Sequence, residues 1–294
     1  MLPPTVETVG FRITIFMSRK SLYEIIKNAN DKDKLADRFL NDFIYTIETL
    51  DEQEQKKPSK AFHPSNLNCD RSSVLEVMGA DIDGNKKTHN LISICRNGTS
   101  THLMVQEYVS KMASLGLNWV FEDVAKYVAE NNIPLKIASN MNIDSGVYET
   151  KIVSEEYNIR GLCDGLLSYK DKDDNKKYVL LEIKTINSRQ YYKMNDILSK
   201  HRVQAVSYCS LLQVDAVIFL YVERDLLNKK TFYYKPTKQE KSAWKKRMTF
   251  LNDCVKNNII PEKPAGINCQ YCEYKKLCKK LGEGKLKYEP SKKL

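Results

Sequence analysis

The chain has 294 residues, which is long enough for one large domain or for one domain with appendages. Its hydrophobic content of 42% is that of a globular protein with a sizeable core and excludes a disordered chain, and its longest apolar run, Ala216–Val222, is far below the roughly 20 residues of a membrane span. A net charge of +10 indicates a polyanionic partner such as nucleic acid, although an AT-rich genome also produces abundant lysine.

The composition also predicts a cellular compartment. The N-terminus lacks the charged-then-apolar order of a signal peptide, and the chain carries eight cysteines. Cysteines without a secretory signal favour a reducing compartment, where thiols are free, metal-bound or catalytic. We therefore expect a cytoplasmic protein, or an intracellular one if its source is viral.

Three regions follow along the chain. Residues 1–60 predict an accessory helical region that opens with a strand-like piece, Phe11–Met17, and contains nothing that resembles a site. Residues 61–260 predict the core domain. Residues 261–294 predict a cysteine-rich segment and a basic tail, and the last twenty residues hold eight Lys against two Glu.

A long helix is predicted over Asn97–Lys126, with Gly98 and the two residues after it as start signals. His102 lies in its first turn, on or beside the apolar face. A lone histidine in such a place is more often a core residue than a ligand.

A β-hairpin is predicted next, from strands Ile159–Tyr169 and Tyr178–Lys184 joined by a charged turn. The first strand carries Asp164. In the second strand, side-chain alternation makes Glu182 and Lys184 point the same way while Ile183 turns into the core. The alternative interpretation of this Glu-Ile-Lys ending is a solvated strand end.

The elements after the hairpin predict a mixed sheet flanked by helices. Ile197–Leu212 is predicted as a helix in which Gln204 and Tyr208 share a face, either toward the site or only in packing on the sheet. Ala216–Val222 is predicted as a buried strand, Thr231–Tyr234 as an antiparallel edge strand paired with it, and Ser242–Lys256 as an amphipathic helix.

Three cysteines near the end of the chain, Cys269, Cys272 and Cys278, have metal-ligand spacing. They need a fourth ligand, and the candidates are the remaining cysteines: Cys69, Cys95, Cys163, Cys209 and Cys254. Cys163 and Cys209 are expected in the core and Cys254 near a helix end, which favours Cys69. Spacing alone does not separate Zn²⁺ from an iron–sulfur cluster, because both accept four thiolates.

Taken together, these features resemble the PD-(D/E)XK nuclease superfamily, in particular its RecB-like branch with an iron–sulfur cluster, which includes CRISPR-associated RecB-like nucleases and the AddB nuclease domain. The resemblance covers roughly residues 65–278 and rests on six short motifs in the family's order. Their residues here are Cys69, His102, Gly161 with Asp164, Glu182 with Lys184, Gln204 with Tyr208, and Cys269 with Cys272 and Cys278. The chain departs from the pattern at Cys163, where the family name has proline, and in its 60-residue extension.

The resemblance implies a restriction-endonuclease-like mixed central sheet, DNA as substrate, exonuclease activity on single-stranded ends, and a structural 4Fe–4S cluster on the four cysteines. It also implies partner proteins from recombination, replication or CRISPR adaptation, without choosing among them. Polarity, oligomeric state and pathway stay open.

The residues themselves suggest the chemistry. Asp164, Glu182 and the Ile183 carbonyl offer oxygens suited to Mg²⁺ or Mn²⁺, and His102 offers a nitrogen. Lys184 is placed to orient the attacking water or stabilise the charged phosphate, while Gln204 and Tyr208 position Lys184 or the DNA backbone. Two alternatives remain: a non-catalytic DNA-binding or assembly subunit with the same fold, and a nuclease that acts on RNA or at specific sites.

Overall fold

The structure is a computed structural model that describes residues 19–54, 59–82, 87–264, 269 and 272–288, with side chains from residue 34 onward. The predicted strand Phe11–Met17 lies outside the described residues. Within the described part, one compact unit comprises the first helix with residues 87–92, and a second unit comprises the rest.

The described residues form helices and strands in the following order. The α-helices are α1 (Arg19–Gln53), α2 (Asp70–Val77), α3 (His89–Ser110), α4 (Val124–Glu130), α5 (Ser188–Lys193), α6 (Ser199–Leu211), α7 (Lys238–Lys256) and α8 (Lys275–Leu281). The strands are β1 (Val120–Glu122), β2 (Lys136–Ser139), β3 (Thr150–Ser154), β4 (Ile159–Cys163), β5 (Gly165–Lys170), β6 (Lys176–Ile186), β7 (Val217–Glu223), β8 (Lys229–Tyr234), β9 (Ile259–Ile260) and β10 (Leu286–Lys287).

The central sheet has five strands in the order β1-β5-β6-β7-β8. β6 and β7 run parallel, joined by a crossover through α5 and α6, and the other neighbours pair antiparallel. A second sheet, β2-β3-β4, has three strands, and β9 pairs with β10. The predicted mixed central sheet flanked by helices is confirmed.

The two faces of the central sheet pack into different cores. On β6, Leu181 and Ile183 join one core with Val105 and Val109 of α3. Leu180 and Ile186 belong to the other core, which contains residues of α2, α4, α6 and α7, and Tyr178 packs against it. Because side chains alternate along β6, one face of the sheet packs on α3 and the other on the layer that contains α6 and α7.

Both predicted ends of the helix Asn97–Lys126 are wrong. α3 begins at His89 and ends at Ser110, and the chain then turns through Gly116, whose φ of 75° is left-handed, before β1 pairs with β5. Gly98 is not a start signal but an interior position where helix and sheet approach closely: a Cβ there would lie 3.3 Å from Oγ1 of Thr185.

The predicted strand Ile159–Tyr169 is interrupted at Asp164. β4 pairs with β3 in the small sheet, and β5 pairs with β6 in the central sheet, so the chain passes from one sheet to the other at that residue. The turn and pairing of the β5–β6 hairpin are as predicted.

The later elements agree with prediction apart from their ends. The predicted helix, buried strand and edge strand correspond to α6, β7 and β8. α7 begins four residues earlier than predicted, at Lys238, because Thr237 and Glu240 form a capping box. None of the described helices combines the length and apolarity that a membrane crossing needs.

Candidate metal and catalytic site

Asp164 is fixed by hydrogen bonds at the point where the chain changes sheets. Its Oδ2 accepts a hydrogen bond of 2.8 Å from the backbone N–H of Ile183, and its main-chain carbonyl accepts one of 2.7 Å from Nε2 of Gln106. The residue is only 6% exposed. The carboxylate is therefore held in one orientation, with Oδ1 3.6 Å from Nδ1 of His102.

His102, Glu149 and Asp164 converge on one point. Each offers a ligand atom within 4.8 Å of the other two, and His102 Nδ1 lies 3.9 Å from Oε1 of Glu149. The three side chains come from α3, from the residue preceding β3, and from the β4–β5 break. Within the described part of the chain, no other set of three His, Cys, Asp or Glu side chains lies this close together.

Glu182 and Lys184 project from β6 on the same side, as strand alternation predicted. Nζ of Lys184 lies 2.5 Å from Oε1 of Glu182, whose side chain is almost fully buried. Ile183 between them is fully buried. The N–H of Ile183 donates the hydrogen bond that orients Asp164. Because Glu182 directly precedes Ile183, this bond holds the backbone of Glu182 next to Asp164.

Burial and the neighbouring charges together set the pKa values of these groups. Burial, reinforced by the charge of Asp164, raises the pKa of Glu182 to about 7, against the opposing charge of Lys184. Burial also raises the pKa of Glu149, with the Asp164 charge adding to it. For Lys184 and His102, burial disfavours the charged form, but neighbouring carboxylates outweigh it and raise both pKa values.

Tyr208 and Gln204 lie on the buried face of α6. The hydroxyl of Tyr208 donates a hydrogen bond of 2.6 Å to the carbonyl of Leu162, two residues before Asp164. The tyrosine ring covers Gly161 so closely that a Cβ there would lie 2.8 Å from it. Two of the predicted motifs, Gly161 with Asp164 and Gln204 with Tyr208, are therefore in contact, because Tyr208 touches the β4 backbone. Gln204 is buried one helical turn before Tyr208.

Two side chains at this site were not predicted from the sequence. They are Glu149, which precedes β3, and Gln106 on α3. Gln106 lies one turn after His102, so helical spacing was an available signal. Its Nε2 is bonded to Asp164, while its buried Oε1 has no hydrogen-bond partner among the described residues.

The predicted fourth cysteine lies with the other three. Cys69, Cys269, Cys272 and Cys278 all line one cavity of about 260 Å³ beside α2 and α8. The rejected candidates lie elsewhere: Cys163, Cys209 and Cys254 are buried in a core containing residues of α6 and α7, and Cys95 is exposed on α3. Burial raises the pKa of the Cys272 and Cys278 thiols, and the charges of neighbouring cysteines add to the shift.

Comparisons with known proteins give distant structural similarities only. No family model matches the chain, and no curated protein matches it. Among solved structures, the protein SSO0001 is 14% identical, with a TM-score of 0.43 over 81% of this chain and 96% of that one. An alkaline exonuclease from Laribacter hongkongensis is 11% identical, with a TM-score of 0.40 over 76% of this chain and 96% of that one. At these values the similarities assign neither a family nor an activity.

Proposed function

We propose that this protein is a divalent-metal-dependent nuclease that hydrolyses DNA phosphodiester bonds. The observation that carries the proposal is the group of His102, Glu149 and Asp164, which the hydrogen bond from the Ile183 N–H to Asp164 links to the strand that carries Glu182 and Lys184. This combination of a histidine, several carboxylates and one lysine at the end of a central strand is what the resemblance to PD-(D/E)XK nucleases leads us to expect.

The charge balance of the site suits a bound cation. Three carboxylates, from Glu149, Asp164 and Glu182, face one lysine and one histidine in a largely buried setting. Surplus buried carboxylates repel one another, and a divalent cation relieves that repulsion. Oxygen donors suit Mg²⁺ or Mn²⁺, and the imidazole nitrogen favours Mn²⁺.

The residues take separate roles in hydrolysis. His102, Glu149 and Asp164 would hold the ion, with Glu182 and the Ile183 carbonyl as further donors. A bound ion supplies Lewis-acid polarisation of the phosphoryl oxygen and lowers the pKa of water. Lys184 donates hydrogen bonds that orient the attacking water or stabilise charge on the phosphate. Tyr208 and Gln204 act as positioning residues, Tyr208 through the β4 backbone.

Charge and family resemblance favour a particular substrate. The net charge of +10 and the lysine-rich C-terminal segment suit a polyanion. The likeness of the motifs to the RecB-like branch favours an exonuclease that acts on single-stranded DNA ends.

End-labelled digestion tests the activity. Single-stranded and duplex DNA, labelled at either end, are incubated with the purified protein and Mn²⁺ or Mg²⁺, and with excess EDTA as the control. We expect metal-dependent shortening that begins at one end of the single strand and stops with EDTA. If neither substrate is degraded with either metal, the proposal is wrong.

For the four cysteines we propose a structural 4Fe–4S cluster, with Zn²⁺ as the alternative. The four cysteine side chains line one cavity and could act as four thiolate ligands, and the resemblance to the RecB-like branch favours the cluster over zinc. The cluster would join α2, near the start of the core domain, to α8, in the cysteine-rich segment that follows it.

Metal analysis after anaerobic purification tests the cofactor. We expect brown protein with about four irons and four sulfides per chain, the stoichiometry of a 4Fe–4S cluster. Colourless protein with one tightly bound zinc per chain would contradict the cluster and support the alternative.

A further inference from the structure

Tyr192 on α5 presents an aromatic ring to solvent. Its residue exposure is 60%, and α5 begins two residues after β6, the strand that carries Glu182 and Lys184, has ended. A large aromatic side chain that is mostly exposed at such a position is a common feature of nucleic-acid-binding surfaces.

The ring of Tyr192 is held in place rather than free. It contacts the neighbouring Tyr191 ring edge to face, with centroids 5.3 Å apart, and its hydroxyl accepts a hydrogen bond of 3.2 Å from Nδ2 of Asn228. Tyr191 is buried and is itself anchored by Lys230, whose Nζ lies 4.6 Å from the ring centroid and donates to the Tyr191 carbonyl. The exposed ring is therefore ordered before any ligand arrives, which lowers the entropy cost of binding.

Positive charge flanks the ring. Arg189 and Lys193, on the same short helix, are exposed and make no ion pair with a described residue. Asp196, the next acidic residue along the chain, pairs with Arg202, whereas the carboxylates of Glu223 and Asp225 both accept hydrogen bonds from Ser188 at the start of the same helix. An ordered aromatic face beside two exposed cations is complementary to stacked bases and backbone phosphates.

We propose that Tyr192, with Arg189 and Lys193, forms a stacking platform that binds single-stranded DNA on its way to the catalytic site. The inference rests on the proposed nuclease function and adds a binding surface to it. The rise of strand and helix residues limits the Lys184–Tyr192 separation to about 20 Å. At 3.4 Å per stacked nucleotide, this corresponds to about six nucleotides at most.

Binding without cleavage tests the platform. The background is Lys184→Ala, assayed without divalent metal, and the probe is a fluorescent oligothymidine of about 12 nucleotides, a length within the usual site size. Because one stacked base contributes about 1–3 kcal/mol, Tyr192→Ala should weaken binding roughly 5- to 150-fold, and Tyr192→Phe should keep the parent affinity. Tyr108→Ala, which removes another tyrosine that is 66% exposed, is the matched control and should have no effect.

Three further measurements sharpen the result. Tyr192→Ala should leave the affinity for duplex DNA unchanged, because paired bases do not present their faces to the ring. Lys193→Gln should lower the slope of log affinity against log salt by about 0.7, the contribution of one single-strand phosphate contact. Tyr192→Ala should also weaken the binding of shorter oligonucleotides by a similar factor, because the ring contacts a base directly.

The outcomes separate this inference from the nuclease proposal. Equal affinity of the Tyr192→Ala protein and its parent for oligothymidine overturns the platform, even if the wild type digests DNA. The platform is also overturned if Tyr192→Ala lowers the affinity for duplex DNA by a similar factor. The same holds if the Tyr192-dependent affinity is higher for RNA than for DNA. If the wild type cuts nothing but the Tyr192-dependent binding is present, the platform stands and the nuclease proposal falls.

Discussion

Asp164 connects every part of the candidate site at the scale of single residues. One carboxylate oxygen accepts the Ile183 N–H, the other faces His102, and the backbone carbonyl accepts from Gln106. Removing the whole side chain would therefore disturb both the fold and the charge. An isosteric amide separates the two effects, because Asn retains an oxygen for the Ile183 N–H while losing the negative charge.

The Asp164→Asn protein should bind Mn²⁺ at least about tenfold more weakly than the wild type, since changes even to outer partners of a metal site typically cost that much. Titration calorimetry on the intact protein measures this directly. Asp173→Asn, a change in the exposed hairpin turn, is the control and should retain wild-type affinity. Equal affinity of all three proteins would remove Asp164 from the set of ligands.

His201 gives the protein a pH-dependent stability. Its Nδ1 lies 2.7 Å from the Tyr221 hydroxyl, and burial, aided by the charges of Lys184 and Lys200, lowers its pKa to about 3. Because an unfolded histidine has a pKa near 6.5, the unfolded chain binds the proton first as the pH falls. Stability linked to His201 is therefore fully present above pH 6.5 and decreases between that pH and about 3.

The His201→Asn protein should lack this contribution. Urea unfolding in EDTA at several pH values between 7.5 and 4.5 should show a shallower loss of unfolding free energy than in the wild type. The difference in slope is at most about 1.4 kcal/mol per pH unit for one proton, and less for this half-buried ring. Parallel slopes would mean that His201 titrates normally.

The sequence predicted some of the site residues for identifiable physical reasons. Alternation along one strand placed Glu182 and Lys184 on one side and Ile183 in the core. Glu149 required the register of another strand pair: Thr150 pairs with Cys163, so the preceding Glu149 comes opposite Asp164. Register between strands depends on tertiary packing, and no local pattern in this sequence specified it.

At the scale of elements, the transition from β4 to β5 organises the site. A continuous strand would carry Asp164 along one sheet, whereas the observed break places it between two sheets, where α3 and β6 both reach it. The apolar run of Ile159–Tyr169 predicted strand correctly but not its interruption. Tyr208 of α6 then holds the end of β4 through the Leu162 carbonyl.

The Tyr208→Phe protein should lose about 0.5–1.5 kcal/mol of unfolding free energy, the usual net contribution of one hydrogen bond, here the one to the Leu162 carbonyl. Its half-maximal Mn²⁺ concentration for cleavage should rise as well, because Asp164 is two residues from the released carbonyl. Tyr233→Phe, at a tyrosine that is 65% exposed, should change neither quantity. A destabilised protein with an unchanged metal requirement would assign Tyr208 to packing alone.

At the scale of the whole molecule, the four cysteines connect distant parts of the chain. Cys69 and Cys269 are 200 positions apart yet line one cavity. Closing a long loop costs only slightly more than closing a short one, whereas metal–thiolate bonding contributes directly to folding free energy. A cofactor here would therefore stabilise the core domain rather than take part in hydrolysis.

The Cys69→Ala protein, purified anaerobically, should lose its iron and melt at a lower temperature. Each 1 kcal/mol of lost stability corresponds to roughly 2–4 °C for a chain of this size. Cys95→Ala removes an exposed cysteine outside the cavity and should keep both iron and melting temperature. Full iron content in the Cys69→Ala protein would show that the fourth ligand is another group.

The most direct test of the central claim compares cleavage and binding in the Lys184→Ala protein. With Mn²⁺ and end-labelled single-stranded DNA, we predict that its cleavage rate falls roughly 100- to 1,000-fold, as when one donor to a transition state is removed, while its DNA affinity and fold stay near those of the wild type. Lys172→Ala, in the exposed hairpin turn, should cleave like the wild type. Equal cleavage by the Lys184→Ala and wild-type proteins would contradict the account.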